Sequence, residues 1–149
     1  MDAIDREILA ALLEDGRATM TNVADRVGLS LSACHRRFKD LQTDGVITGF
    51  RAELDAARLG MPFEALVIVT LGTVEHTGVV AFEEAVAQVE NVVAAHRLFG
   101  EPDYQLRVVA RSLQDYQELY DARLTQLPSV SRLTSTLVMK TVVERHVPV

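Results

Sequence analysis

The stretch Val27-Gly28-Leu29-Ser30-Leu31-Ser32-Ala33-Cys34-His35-Arg36-Arg37-Phe38-Lys39 decides how the N-terminal part of the chain is read. Gly28 is the residue type that closes a helix in the left-handed conformation, and Ser30 is a favoured first residue for the next helix, where its hydroxyl can cap a free backbone N–H. Upstream of Gly28, Val23, Ala24 and Val27 form the apolar side of a short helix around residues 20–27. Downstream, Leu31, Cys34, Phe38 and Leu41 recur at helical spacing until Gly45 ends the pattern. Still earlier, Ile4, Ile8, Leu9 and Leu12 define a first helix, which Glu14-Asp15-Gly16-Arg17 breaks. Three short helices, the last two joined by a turn at Gly28-Leu29, make a helix-turn-helix.

Outward from this core, Val46-Ile47-Thr48-Gly49-Phe50-Arg51-Ala52-Glu53-Leu54 alternates and predicts a short β-ribbon, or wing. Residues 55–62, punctuated by Gly60 and Pro62, read as a linker. The period then changes. Residues 65–71 are a continuous apolar run, expected as a strand buried on both faces. A helix over 79–89 follows, with Phe82, Ala85, Val86 and Val89 on one side. A strand is expected over 92–99, a turn at Gly100-Glu101-Pro102-Asp103, and a strand over 104–110 with Tyr104, Leu106 and Val108 facing one way. Ser112 caps a helix carrying Leu113, Tyr116, Tyr120, Leu124 and Leu127, which ends at Pro128-Ser129. A last long strand is expected over 130–143. The order β-α-β-β-α-β is the ferredoxin-like split unit. The expected fold class is therefore α+β, with a winged helix-turn-helix over residues 1–54, a linker over 55–62 and a ferredoxin-like domain over 63–149.

Composition bounds the function. With 149 residues, 48% of them apolar and 24% charged, the chain reads as an ordinary globular protein. That excludes disordered and low-complexity classes. No apolar run approaches the ~20 residues of a membrane span. The acidic start Met1-Asp2-Ala3-Ile4-Asp5 lacks the basic-then-apolar pattern of a signal peptide, so a cytoplasmic location and no membrane partner are expected. The single cysteine, Cys34, excludes an internal disulfide and a multi-cysteine zinc site.

The net charge of −6 is unevenly spread. Residues 26–39 hold Arg26, Arg36, Arg37 and Lys39, with His35 and no acid, whereas residues 64–149 carry seven bases against eleven acids. Such a window is either one solvated helix face or a basic footprint joined to an acidic module with another task. On a helical wheel Ser32 and Arg36 lie opposite the apolar side, flanked by Ala33, Lys39 and Asp40, and Arg37 lies nearer the seam. The small and polar residues Ser30, Ser32 and Ala33 let the helix start enter a DNA major groove. Arg36 can then reach a base edge or a phosphate, while Arg37 and Lys39 can reach phosphates.

Catalytic chemistry finds no support. His35 and Cys34 are adjacent on the helix and point apart. His76, His96 and His146 show no metal-ligand spacing, and Glu83-Glu84 reads as a solvated helix face. No phosphate loop or nucleophile elbow is present. No catalytic residue, metal or cofactor is expected. The turn Gly100–Tyr104 places a carboxylate beside an aromatic, and Leu133-Thr134-Ser135-Thr136 lines three hydroxyls along a strand. A tight turn explains the first on its own. Together they also offer what a zwitterionic amino acid needs: Asp103 to accept from its ammonium, and hydroxyls or backbone N–H groups to donate to its carboxylate.

These residues resemble the Lrp/AsnC (feast/famine) regulators. The likeness runs through Ile4-Asp5-Arg6-Glu7-Ile8-Leu9, Asp15-Gly16-Arg17, Val27-Gly28-Leu29-Ser30, Cys34-His35-Arg36-Arg37-Phe38-Lys39, Gly45-Val46-Ile47-Thr48-Gly49-Phe50, Gly100, Asp103-Tyr104, Leu127-Pro128-Ser129-Val130 and Thr134-Ser135-Thr136. It covers essentially the whole chain. The resemblance implies a winged helix-turn-helix joined to a ferredoxin-like RAM domain, acting as a sequence-specific DNA-binding transcriptional regulator and not an enzyme. It implies homodimers that build tetramers, octamers or larger assemblies on double-stranded DNA, and an amino-acid effector bound between dimers. Carried over by position, the effector residues are Gly100, Asp103, Tyr104, Thr134 and Thr136, and the DNA-binding residues are Ser30, Ser32, Ala33, Arg36, Arg37 and Lys39. Two departures stand out: Glu101-Pro102 replaces the family's usual Asp, Asn or Tyr, and Asp40 sits where many members carry a base. The rival reading from the residues is a small-molecule-binding oligomer whose N-terminal helices make only protein contacts.

Overall fold

A computed structural model of the protein describes residues 1–72, 75–143 and 148–149. The chain divides into two compact units, Met1–Glu53 with the C-terminal end from Val143, and Leu54–Val142.

The first unit holds helices α1 (Ala3–Glu14), α2 (Met20–Arg26) and α3 (Leu31–Thr43). Asp2 starts α1 through a reciprocal capping box with Asp5, and the Thr19 and Ser30 hydroxyls cap α2 and α3. Each cap satisfies a backbone N–H that the first turn leaves without a partner. Helices α2 and α3 both end in a pair of turn hydrogen bonds. Gly28 and Leu29 N–H donate to the Asp25 and Ala24 carbonyls, and Gly45 and Val46 N–H to the Gln42 and Leu41 carbonyls. That closure requires a left-handed residue, and the glycines supply it with φ of +68° at Gly28 and +71° at Gly45. Ile8, Leu9, Ala11, Leu12, Val23, Ala24, Cys34 and Leu41 fill the core between the helices. Leu31, expected on the apolar side, is 50% exposed, because it lies in the first turn of α3 beyond the reach of α1 and α2. Residues 46–54 do not form the expected ribbon: they carry no strand. A ladder needs a second extended segment alongside, and here Ile47 packs back on the helical core while the Phe50 ring stands 6.3 Å from that of Phe38.

The second unit is a four-stranded sheet, β1 (Phe63–Leu71), β2 (Val92–Arg97), β3 (Tyr104–Ala110) and β4 (Val130–Leu137), with α4 (His76–Val86) and α5 (Leu113–Ala122). The strand order is β2-β3-β1-β4 and every recorded pairing is antiparallel. This is the βαββαβ arrangement expected from the sequence. Ala65, Val67, Val69 and Leu71 of β1, with Tyr104, Leu106 and Val108 of β3, bury one sheet face against Val79, Phe82 and Val86 of α4, Tyr116 of α5 and Leu124. Leu66, Ile68 and Thr70 alternate onto the opposite face and are only half-buried. The expectation that β1 is buried on both sides therefore fails within one chain, since both helices lie on the same face.

Several boundaries also shift. Strand β4 stops at Leu137, not Val143, because its neighbour β1 begins at Phe63: the last bond of the pair runs from Val138 N–H to the Glu64 carbonyl. Strand β2 stops at Arg97, where Leu98 N–H donates to the Asp103 carbonyl and closes the turn. Helix α5 gives way to a 3-10 turn at Leu124–Gln126, since Pro128 forces Leu127 into an extended conformation. Leu113, expected inward, is exposed at the start of α5. His146 lies outside the described residues.

Gly28 offers a direct test of the helix-turn-helix geometry. A Cβ there would meet no atom within 4 Å, so only the left-handed backbone opposes a side chain. Gly28→Ala is expected to destabilise the protein by about 1–2 kcal/mol, read from the denaturant midpoint, with Gly28→Asn falling between the two.

Candidate functional site

Helix α3 sorts its side chains by what its buried side must contact. Cys34 and Leu41 are buried, and Phe38 is half-buried over the same core. Burial pushes the Cys34 thiol above its ordinary pKa, and Cys34 packs there as a small core residue. One residue is about 100° of rotation on a helix, so the residues after Cys34 swing away from the core. Ser32, His35, Arg36 and Lys39 are exposed, and with Leu31 they line one shallow surface. Among the described residues, Arg36 and Lys39 form no ion pair. Ala33 is half-buried at the margin. Ser30 accepts from Ala33 N–H and lies 3.2 Å from the Ser32 hydroxyl, so its oxygen is engaged in starting the helix.

Arg37 departs from the expected set. Its Nη1 donates to Asp2 Oδ2 at 2.8 Å and to Asp5 Oδ1 at 2.8 Å, across to the start of α1. The sequence places it near the seam between faces, and the structure places it on the side that meets α1. His35 and Leu31 join the exposed surface instead. His35 was legible from the wheel as a neighbour of Arg36; Leu31 was hidden by its apolar character.

The residues carried over for the effector do not share one face. In antiparallel pairs, side chains of partnered residues point the same way. Thr134 pairs with Ile68 and Thr136 with Leu66, which places both threonines on the open sheet face. Tyr104 pairs with Val69 and points under the helices. It is 3% exposed, packs 4.6 Å from the Phe82 ring and donates its hydroxyl to Glu83 Oε1 at 2.7 Å. Burial, then the adjacent Glu83 carboxylate, pushes its pKa up to about 12. Glu83, expected as a free solvated acid, thus accepts from Tyr104 and also lies 3.7 Å from Arg97. Ser135 is on the helical side as well, bonded to the Tyr116 hydroxyl.

Asp103 sits in the turn between β2 and β3. Its backbone N–H donates to the Val69 carbonyl at 3.0 Å, and its Oδ2 accepts from Leu71 N–H at 2.7 Å. One carboxylate oxygen therefore holds the end of β1, and among the described residues the other accepts no hydrogen bond. Gly100 takes a left-handed φ of +106°, and the Glu101-Pro102 bond is cis. The open face between this turn and β4 carries Leu66 and Ile68 beside an ion pair of Glu64 and Arg107 at 2.8 Å. No cluster of three or more metal-binding side chains occurs among the described residues, and no helix among them is long and apolar enough to cross a membrane.

The Asp2 carboxyl is held below its ordinary pKa of 3.8, first by Asp5 N–H and next by Arg37. A lowered carboxyl stabilises the fold above its unfolded value, and the effect is lost as pH falls through the folded one. Asp2→Asn is expected to lower the urea midpoint at about pH 6, with the gap to the parent closing as pH falls below the ordinary value of 3.8 and Asp2 itself protonates.

Comparison with known proteins now adds to the geometry. Residues 64–148 match the family described as Lrp/AsnC ligand binding domain, and residues 1–48 match winged helix-turn-helix DNA-binding. The chain is 35% identical over 148 residues to the Bkd operon transcriptional regulator of Pseudomonas aeruginosa, covering 99% of this chain and 97% of that protein. It is 36% identical over 142 residues to the leucine-responsive regulatory protein of Rhizobium meliloti, covering 95% and 91%. Among solved structures, a Neisseria meningitidis transcriptional regulator in complex with L-methionine superposes with a TM-score of 0.91 at 26% identity, covering 97% of this chain and 94% of that one.

Proposed function

The chain belongs to the Lrp/AsnC family of transcriptional regulators, and from that premise we propose how its two units divide the work. The family joins a DNA-binding helix-turn-helix to a ligand-binding domain and consists of regulators, not enzymes. Helix α3 is the element we assign to the major groove. The observation that carries this is its outer face: Ser32, His35, Arg36 and Lys39 are exposed together on a protein of net charge −6, with Arg36 and Lys39 free of ion pairs among the described residues. Arg36 faces most directly away from the core and is assigned to a base edge; Lys39 is assigned to a phosphate. The N-terminal N–H groups of α3 can add a phosphate contact.

The second unit supplies assembly and sensing. A sheet with two helices on one face leaves Leu66 and Ile68 half-covered on the other, and a second copy of the chain is the simplest cover. A homodimer would also present two α3 helices to two half-sites. The small-molecule effector is assigned to the class of amino acids, the ligand class present in the Neisseria meningitidis complex. Asp103, with one carboxylate oxygen left to accept from an ammonium, the Gly100 turn, and the Thr134 and Thr136 hydroxyls are the residues assigned to it, at contacts between dimers. Tyr104 supports this site from beneath and is not assigned to the ligand. An effector that binds one assembly better than another shifts the population toward it and changes DNA affinity through linkage. One that binds all assemblies equally regulates nothing. Residues 55–62 are proposed as the linker, and a cytoplasmic location follows from the task.

Two measurements test this reading. In fluorescence anisotropy on a duplex from upstream of the protein's own gene, log affinity is expected to fall linearly with log salt, by about 0.9 per phosphate contacted. Arg36→Ala should weaken selective binding by about 1–3 kcal/mol. Affinity without sequence preference or salt dependence would instead leave an effector-binding oligomer. In the second measurement, each of the twenty amino acids is added in turn. One of them should change the affinity or the sedimenting species of the wild type, Asp103→Asn and Thr134→Val should lose that response, and Tyr104→Phe should keep it. Loss of the response in Tyr104→Phe alone would place the ligand under the helices.

A further inference from the structure

Arg36 and Arg37 are neighbours in sequence, yet only one of them is available to DNA. The Arg37 guanidinium is 26% exposed and bridges two carboxylates, Asp2 and the 15%-exposed Asp5. Those acids are themselves fixed. Each accepts from the other's backbone N–H in the box that starts α1, and acids at that end are favoured by the helix dipole. A phosphate approaching Arg37 would have to displace one carboxylate and meet both.

The apolar contact beneath α3 sets which side it buries, but it carries no directional bond. Its buried residues, Cys34 and Leu41, share a core with Ile8, Leu9, Ala11, Leu12, Val23 and Ala24, apolar side chains that make no directional bonds. A small roll of α3 about its axis changes that packing slightly but sweeps the tip of a long side chain on the far face through several ångströms. The Arg37 bridge is directional, lies on the side of α3 that meets α1, and is one residue away from Arg36.

We propose that Arg37 is a positioning residue: by tying α3 to the start of α1 through Asp2 and Asp5, it sets the roll of the recognition helix so that Ser32 and Arg36 meet base edges, and it makes no phosphate contact itself. This rests on the DNA-binding role of α3. It turns the expected set of three recognition-helix cations into two that touch DNA and one that aims them. It also gives the acids at the N-terminus a part in sequence selectivity, although acids ordinarily weaken binding to a polyanion.

The test uses the full-length protein, a duplex selected by the wild type from a random pool, and an unrelated duplex of equal length. Arg37→Met should lower affinity for the selected duplex by about 10- to 100-fold, the worth of one base-edge contact. Its affinity for the unrelated duplex and the slope of log affinity against log salt should both stay unchanged. Asp5→Asn is the second variant; its amide oxygen can still accept from Asp2 N–H, so α1 keeps its start. It should shift the ratio of selected to unrelated binding the same way although it removes a negative charge. A phosphate-contacting Arg37 would overturn the proposal through the opposite pattern: Arg37→Met losing affinity for both duplexes with a slope smaller by about 0.9 per protomer, and Asp5→Asn binding both more tightly. A wild type that selects no duplex at all would remove the DNA-binding role itself, a failure separate from either pattern.

Discussion

A helix packed against two others can bury only one side, and in α3 that limit governs everything the N-terminal unit does. Cys34 and Leu41 enter the core and Phe38 packs over it; at 100° per residue the other positions between them face outward or sideways. Arg36 goes outward and Arg37 sideways to Asp2 and Asp5. Two arginines of identical chemistry thus acquire different surroundings from one residue of helical rotation. Left-handed Gly28 closes α2 and turns the chain into α3.

The second unit obeys the same logic with a period of two. Alternation in β1 sends Ala65, Val67, Val69 and Leu71 under the helices and Leu66, Ile68 and Thr70 to the open face. Pairing transmits that choice across the sheet, so Tyr104 follows Val69 inward while Thr134 follows Ile68 outward. The turn at Asp103 joins the two regimes. Its carboxylate holds the end of β1 with one oxygen.

Element order, the caps at Ser30 and Ser112 and the change of period near residue 62 were legible from the chain because each rests on interactions within a few residues. Gly28-Leu29-Ser30 contains its own turn and cap; the alternation of β1 and β3 is visible residue by residue. Boundaries were less legible where a partner decides them. Residues 140–143 have the pattern of a strand but no β1 residue left to pair with, and residues 46–54 alternate yet pair with no strand among the described residues. Leu31 and Leu113 look apolar in sequence and lie exposed because each occupies the first turn of its helix.

What the sequence determined by itself was the fold class, the basic window on α3 and the presence of acid and hydroxyl groups suited to a zwitterion. What only the tertiary structure decided was which of those groups stay open to solvent and which are bonded within the fold. Arg37 meets Asp2 across 35 positions, Asp103 meets the Leu71 backbone across 32, and Tyr104 meets Glu83 across 21. Periodicity assigns a residue to a side of its own helix or strand, but the charge or carbonyl waiting on that side comes from another element. The use of a polar group is therefore settled only when the elements pack.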